Sequence, residues 1–419
     1  MHRRGTSRET PPRECLVTDV AELIREHDRG RDPERLALKY QNMRQGPFVF
    51  LRGTCHLFYA RLPGGNAWLD APCVWACGDL HLENFGSYKA DNRQVYFDIN
   101  DFDEGLLAPA SWDLLRLMAS VIVGRDVLRV TRDGALTLCD ELLAAYAAAL
   151  QVGKPLWVER ETAVPPVSVL LHKVRDRGGR DLLEARTREK GGRRTLRLDN
   201  GKALPVSDAQ REQVAALIDA FAREQKQPAS FRVLDVARRI AGTGSLGIDR
   251  YIVLVEGKGS PDRNRLLDLK RAVTPSWRAL PKPPCEQPTW PDEATRVVSV
   301  QRRVQAVSMA LLHAVKLGKH PFVLRRLSPS EDRIALPIKG GKRSQLLVNT
   351  LQVFGRCLAW DQLRSSGRDG AASADTLIAS GKTTAWMRPL RALADRAARQ
   401  VEADFKDFAR AYDSGGFAL

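Results

Sequence analysis

No stretch of the 419 residues comes near the roughly 18 consecutive apolar residues that a membrane-crossing helix needs. The basic start Met1-His-Arg-Arg-Gly-Thr-Ser has no apolar run behind it either. Neither membrane insertion nor secretion is therefore expected, and a cytoplasmic location is. Cysteine is scarce and unpaired in spacing: Cys15, Cys55, Cys73, Cys77, Cys139, Cys285 and Cys357 make seven, with no CxxC among them. Cys73 and Cys77 have no matching His or Cys cluster, which argues against zinc, and the odd, scattered set predicts reduced thiols. Internal repeats are missing, so a repeat array is not expected.

What is present is ordinary globular material. Hydrophobic residues at 43% and charged residues at 28% can bury a sizeable core and exclude wholesale disorder. The chain is too long for one ordinary domain, so two lobes are expected. A formal net charge of +16 points to an anionic partner, whether nucleic acid, a phosphorylated metabolite or an acidic surface. A merely solvated basic surface fits the same number equally well.

Chemistry concentrates between Val74 and Ser120. Cys77-Gly-Asp-Leu-His-Leu-Glu-Asn-Phe-Gly86 and Val95-Tyr-Phe-Asp-Ile-Asn-Asp-Phe-Asp-Glu104 pack six acidic side chains and two Asn into short segments beside strand-like apolar runs. Hard cations take oxygen ligands, and Mg²⁺ is commonly held by one or two carboxylates together with substrate phosphates. The cluster therefore points to phosphoryl transfer. It also argues against nucleic-acid binding, because clustered carboxylates repel a polyanion unless metal neutralises them. His81, inside the turn, reads better as a packing or hydrogen-bonding residue than as a phosphate neighbour. Arg52, closing Phe48-Val-Phe-Leu-Arg-Gly53, reads better as a salt-bridge partner than as an anion contact.

Along the chain, residues 1–16 read as a loose tail. Thr18–His27 and Arg35–Met43 carry helical spacing, and Ser111–Val123 and Leu136–Leu150 read as buried helices. Residues 154–208 form a loop-rich basic insertion, with a run from Arg186 to Arg197 that lacks the interleaved aromatics of a single-strand binding platform. Gly242, Gly244 and Gly247 spell G-x-G-x-x-G, but they lead into the β-branched run Arg250–Gly257 and a second strand ending near Lys270, rather than opening a helix. Pro281–Pro291 is a linker, Ala294–Leu317 a long helical pattern, Pro321–Arg325 a strand, and Leu346–Leu363 and Ala385–Tyr412 are helices.

The run Gly78–Asn84, then Asp101-Phe102, Pro109 and Trp112-Asp-Leu-Leu-Arg-Leu117, resembles the catalytic half of aminoglycoside phosphotransferases and choline kinases in the protein-kinase-like superfamily. Taken together with Phe48–Gly53, the glycine loop with Lys270, Arg296-Val-Val298, Gln301, Gln305 and Gly355, most of the chain resembles a bacterial family catalogued as domain of unknown function 2252. The resemblance implies an α+β, two-lobed kinase-like fold with its order changed, since the acidic loops precede the glycine loop. Such a circular permutation would make 17–227 a helical large lobe, 228–345 a small β-rich nucleotide lobe, and 346–419 helices returning to the large lobe.

By the same resemblance, Asp79 is the catalytic carboxylate, and Asn84 and Asp101 hold Mg²⁺. The backbone of Gly242, Gly244, Ser245 and Gly247 covers the phosphates of ATP, and Lys270 contacts them. Asp98 and Asp103 compete with Asp101 for the metal, and Gln301 or Glu293 stands in for the missing partner of Lys270. The implied activity is transfer from ATP to a hydroxyl on a small molecule or protein. Nucleotidyl transfer, an inactive nucleotide binder and a nucleic-acid-binding protein are the alternatives.

Overall fold

The computed structural model describes residues 19–62, 71–338 and 342–418. The loose tail expected over 1–16 lies outside them. The fold is α+β. A six-stranded antiparallel sheet runs in the order His313–Leu317, His320–Arg326, Arg265–Arg271, Arg250–Val255, Val233–Arg239, Ala203–Leu204. Its central strand, Arg250–Val255, is buried throughout, and its side chains alternate between two small cores. Tyr251, Val253 and Val255 meet helix Asp208–Arg223 through Val214, Ile218 and Phe221, while Ile252 and Leu254 meet Leu183 and Leu196 on the other face. A strand covered on both faces must be apolar at successive positions, which is why Tyr-Ile-Val-Leu-Val is continuous.

The helical half is built around Ser111–Val123, every residue of which is buried. Helices Arg132–Val152 and Met387–Asp413 pack on it, and Arg343–Ser365 packs on Arg132–Val152. That last contact depends on Gly355: a Cβ there would lie 2.4 Å from the Leu142 carbonyl oxygen. Arg132–Val152 is long and apolar enough to cross a membrane, yet Leu138, Leu142, Leu143 and Tyr146 are buried within the protein. The N-terminal helices Val20–His27 and Pro33–Met43 close against the end of the chain, where Ile24, Met43, Phe50, Phe408 and Phe417 share a core.

Two short antiparallel pairs deliver the acidic loops. Cys73–Ala76 pairs with Leu106–Pro109, ending at Ala76 opposite Leu106, and Phe85–Lys89 pairs with Val95–Ile99, starting at Phe85 opposite Ile99. Loops 77–84 and 100–105 connect these same four strand ends, so strand pairing alone makes them neighbours.

Three expectations are corrected. Residues 179–208, read as part of a loop-rich insertion of the large lobe, instead form helix Gly179–Arg186, hairpin Thr187–Lys190/Arg193–Leu196 and strand Ala203–Leu204, and the helix expected over 210–223 is present as Asp208–Arg223; all of them gather on the six-stranded sheet. The buried apolar positions of this segment, which its charge obscures, are what bind it there. The helical pattern over Ala294–Leu317 stops at Val304, and His313–Leu317 becomes the edge strand. The intervening chain is drawn away by Asp91 N–H and Ala310 N–H, which bond Ser308 and Lys89 carbonyls at 2.9 and 3.0 Å. Finally, Cys73 and Cys285 are joined as a disulfide across 212 positions, and Cys55, Cys77, Cys139 and Cys357 are free and buried. Spacing could not reveal a pair made by laying the Pro-rich linker beside a distant strand.

Candidate functional site

A cleft of about 250 Å³ collects Asp79, Asn84, Asp101, Gly242, Gly244, Ser245 and Lys270 on one lining. Gly247, the eighth residue singled out, does not line it. Its φ of +86° needs glycine, and a Cβ would meet Arg31 Cβ at 2.8 Å. It acts as an anchor: Asp32 N–H bonds the Gly247 carbonyl at 2.9 Å, Arg31 bonds the carbonyls of Gly244 and Leu246 at 2.7 and 3.2 Å, and Arg35 that of Ile248 at 2.8 Å. The glycine turn is thus gripped from behind by the corner between the first two helices.

Loop 77–84 is fixed by the central helix. Asp113 accepts from Cys77 N–H and Gly78 N–H at 2.7 and 2.9 Å. Burial pushes the Asp113 carboxyl up to about 6, although both backbone bonds act the other way. One turn further, Arg116 donates twice to Asp79 Oδ1, at 3.0 and 2.7 Å, and once to the Leu51 carbonyl. Burial still raises the Asp79 carboxyl above its usual range against the pull of Arg116, with Asp101 adding to the rise. Asn84 Oδ1 accepts from His81 N–H at 2.8 Å, leaving a second lone pair. His81 Nδ1 accepts from Glu83 N–H at 3.2 Å, so His81 does hydrogen-bond within its turn while also lining the cleft.

The three competing aspartates separate cleanly. Asp98 is buried away from the cleft, against Arg364 at 3.1 Å. Asp103 is bonded to Lys270. Burial alone would raise its carboxyl, but Lys270, Arg250 and Arg296 together hold it below the usual range. Asp101 makes no ion pair among the described contacts, and burial with the nearby Asp103 charge pushes its carboxyl up. Lys270 therefore pairs with Asp103 and with neither suggested substitute: Gln301 bonds Gln305 at 3.2 Å, and Glu293 pairs with Arg296. Among the described residues, no group of three or more His, Cys, Asp and Glu is arranged to hold a metal.

Behind Lys270 lies a charge cluster that sequence reading missed. Asp268, on the same face of the same strand, is 1% exposed. It accepts from Arg250 at 2.8 and 2.6 Å and from Arg325 at 3.0 Å, and pairs with Arg239 at 2.7 Å. The four residues come from four adjacent strands.

Over residues 31–411 the sequence matches a family described as uncharacterized protein conserved in bacteria (DUF2252). The chain belongs to that family. No curated protein and no solved structure matches it.

In this DUF2252 member, sequence reading also passed over Arg116 and Glu104. Arg116 had a local signal, since it lies three positions after Asp113 and so presents to the same loop. Glu104 had none, because its partner is distant: it accepts from Ser276 N–H and Oγ–H at 2.6 and 2.7 Å. Burial pushes the Glu104 carboxyl up to about 7, against the Ser276 bonds and with the help of Asp79. A carboxyl raised in the folded state binds protons that the unfolded chain has already released, so stability falls between about pH 4.5 and 7. Glu104→Gln, which keeps a bond to Ser276, removes that cost. Its melting temperature should exceed that of the wild type by more at pH 8 than at pH 5, and a gap independent of pH would refute the assignment.

Proposed function

We propose that the protein is an ATP- and Mg²⁺-dependent phosphotransferase of kinase-like type, acting on a hydroxyl acceptor. The observation that carries this reading is the convergence on one cleft of an anchored glycine turn, a strand lysine, an arginine-bound aspartate and an aspartate without a cationic partner. A kinase-like fold in permuted order is part of the proposal. It is supported by the glycine turn and Lys270 following the acidic loops in sequence, and by helix Arg343–Ser365 returning to pack on Arg132–Val152.

The residues fit the cofactors unequally. Asp101 and the spare lone pair of Asn84 offer oxygen to Mg²⁺, while Asp103 is taken up by Lys270. Bound there, Mg²⁺ would neutralise phosphate charge. Lys270 would contact the phosphates, with Asp103 orienting its ammonium group, and the backbone of Gly242 to Ser245 would cover them. Asp79 would orient the acceptor hydroxyl and receive its proton, its other oxygen being held by Arg116.

Thermal unfolding tests this reading. MgATP at about 100 times its Kd should stabilise the wild type by about 2.7 kcal/mol. Asp101→Asn should melt near the wild type without ligand, yet bind MgATP at least roughly 10–100-fold more weakly. Undiminished MgATP affinity in that variant would remove Asp101 from the metal role. Release of ADP rather than pyrophosphate separates phosphoryl from nucleotidyl transfer.

A further inference from the structure

We propose that Arg52 and Arg333 form the binding site for an anionic group, a phosphate or a carboxylate, carried by the acceptor and held on the Asp79 side of the cleft. This rests on the phosphotransfer reading above. Both guanidinium groups converge on one oxygen, Glu83 Oε2, with Arg52 Nη2 at 2.9 Å and Arg333 Nη1 also bonded to it. Two cations facing one carboxylate leave a positive charge uncompensated, and all three residues line the cleft.

The donors are not exhausted. A guanidinium carries five N–H groups in a planar fork that fits carboxylate or phosphate; Glu83 accepts one from Arg333 and meets Arg52 as an ion pair. Arg52 Nε is buried with no hydrogen-bond partner, and its guanidinium lies 5.7 Å from the Phe48 ring centre. Arg52 is the fixed half, with its side chain 13% exposed, whereas Arg333 reaches in from the surface at 51%. An arriving anion can therefore bind without either group being extracted from the core.

The other cations in and beside the cleft are differently engaged. Arg116 is matched by Asp79 and Lys270 by Asp103, while Arg31 shares Asp28 with Lys39 and spends its guanidinium on two carbonyls of the glycine turn. His81 adds no charge, because burial and the fields of Arg52, Arg116 and Arg333 hold it well below its usual range. Adjacent to the residue assigned to the acceptor hydroxyl, the surplus positive charge selects an acceptor that is itself an anion.

Inorganic phosphate and acetate are the probes, titrated at low ionic strength while melting temperature is followed. The wild type should be stabilised by phosphate. Arg333→Gln should melt like the wild type without ligand and bind phosphate at least tenfold more weakly. Arg52→Lys, which keeps the charge and loses the fork, should weaken phosphate in the same direction and guards against misfolding at one position. Wild-type phosphate affinity in both variants, or no phosphate or acetate effect on the wild type, overturns the proposal. Arg333→Gln should also bind MgATP and MgADP as the wild type does. A loss confined to MgATP overturns the acceptor assignment, because it gives the arginine pair to the γ-phosphate. If the wild type binds phosphate through these arginines but no MgATP, the phosphotransfer reading fails and the anion site stands.

Discussion

Asp79→Asn is expected to keep the MgATP-induced rise in melting temperature while transfer falls roughly 10²–10⁴-fold, the usual contribution of a positioned general base. The competing view makes Asp79 a turn residue that caps backbone N–H groups, but that task belongs to Asp113, which accepts from Cys77 and Gly78. Asp79 instead uses one oxygen for Arg116 and lines the cleft. The substitution also deprives a buried guanidinium of its counter-charge, so loss of turnover alone could reflect a disturbed loop. Asp79→Asn/Arg116→Met removes the pair from both sides and should recover stability without recovering transfer. Full turnover at native MgATP affinity in Asp79→Asn would end the catalytic assignment, and so would recovery of transfer in the double variant.

The largest loss of stability is expected from Asp268→Ala. The change deletes the carboxylate that Arg239, Arg250 and Arg325 share, and breaking a buried pair from one side costs about 3–5 kcal/mol. Burial alone would raise the Asp268 carboxyl, but the three guanidinium groups hold it well below its usual range. Its stabilisation is therefore present above the unfolded value, near pH 4, and is lost as pH falls toward the folded value. Urea unfolding at pH 7 should show the full deficit, and the deficit should shrink on acidification. A variant within about 1 kcal/mol of the wild type at pH 7 would mean that the arginines find other partners. Lys270 lies two residues along on the same strand face, so MgATP affinity should fall together with stability.

What could be read in advance was local. The run Asp79–Asn84 and the Asp101 loop each sit within a few residues of a strand end, and the glycine turn and Lys270 flank a single strand, Arg250–Val255, so short-range spacing exposed them. What stayed hidden was made by distant pairing. Asp103 reaches Lys270 across 167 positions, and Asp268 gathers arginines from three other strands. The basic segment 179–208 read as loop because its charge masked Leu183, Leu196 and Ala203, which bury against the sheet, whereas 210–223 read correctly as helix. Residues 305–317 are rich in Ala, Leu and Val, which satisfy helical and strand spacing alike, and pairing with His320–Arg326 decided the matter. Gly247 was legible as a required glycine but not as an anchor, because its contacts come from Arg31 and Asp32.

The core shared by the first helices and the last one bears on how the protein is made. Ile24 and Met43 emerge from the ribosome long before Phe408 and Phe417, with which they share a core. Arg25 bonds the Gly416 carbonyl, 391 positions away, and Arg44 bonds Asp413. The corner that grips the glycine turn is thus seated only after Phe408 and Phe417 have followed, and a chain stalled before Phe408 carries its glycine turn without a settled support.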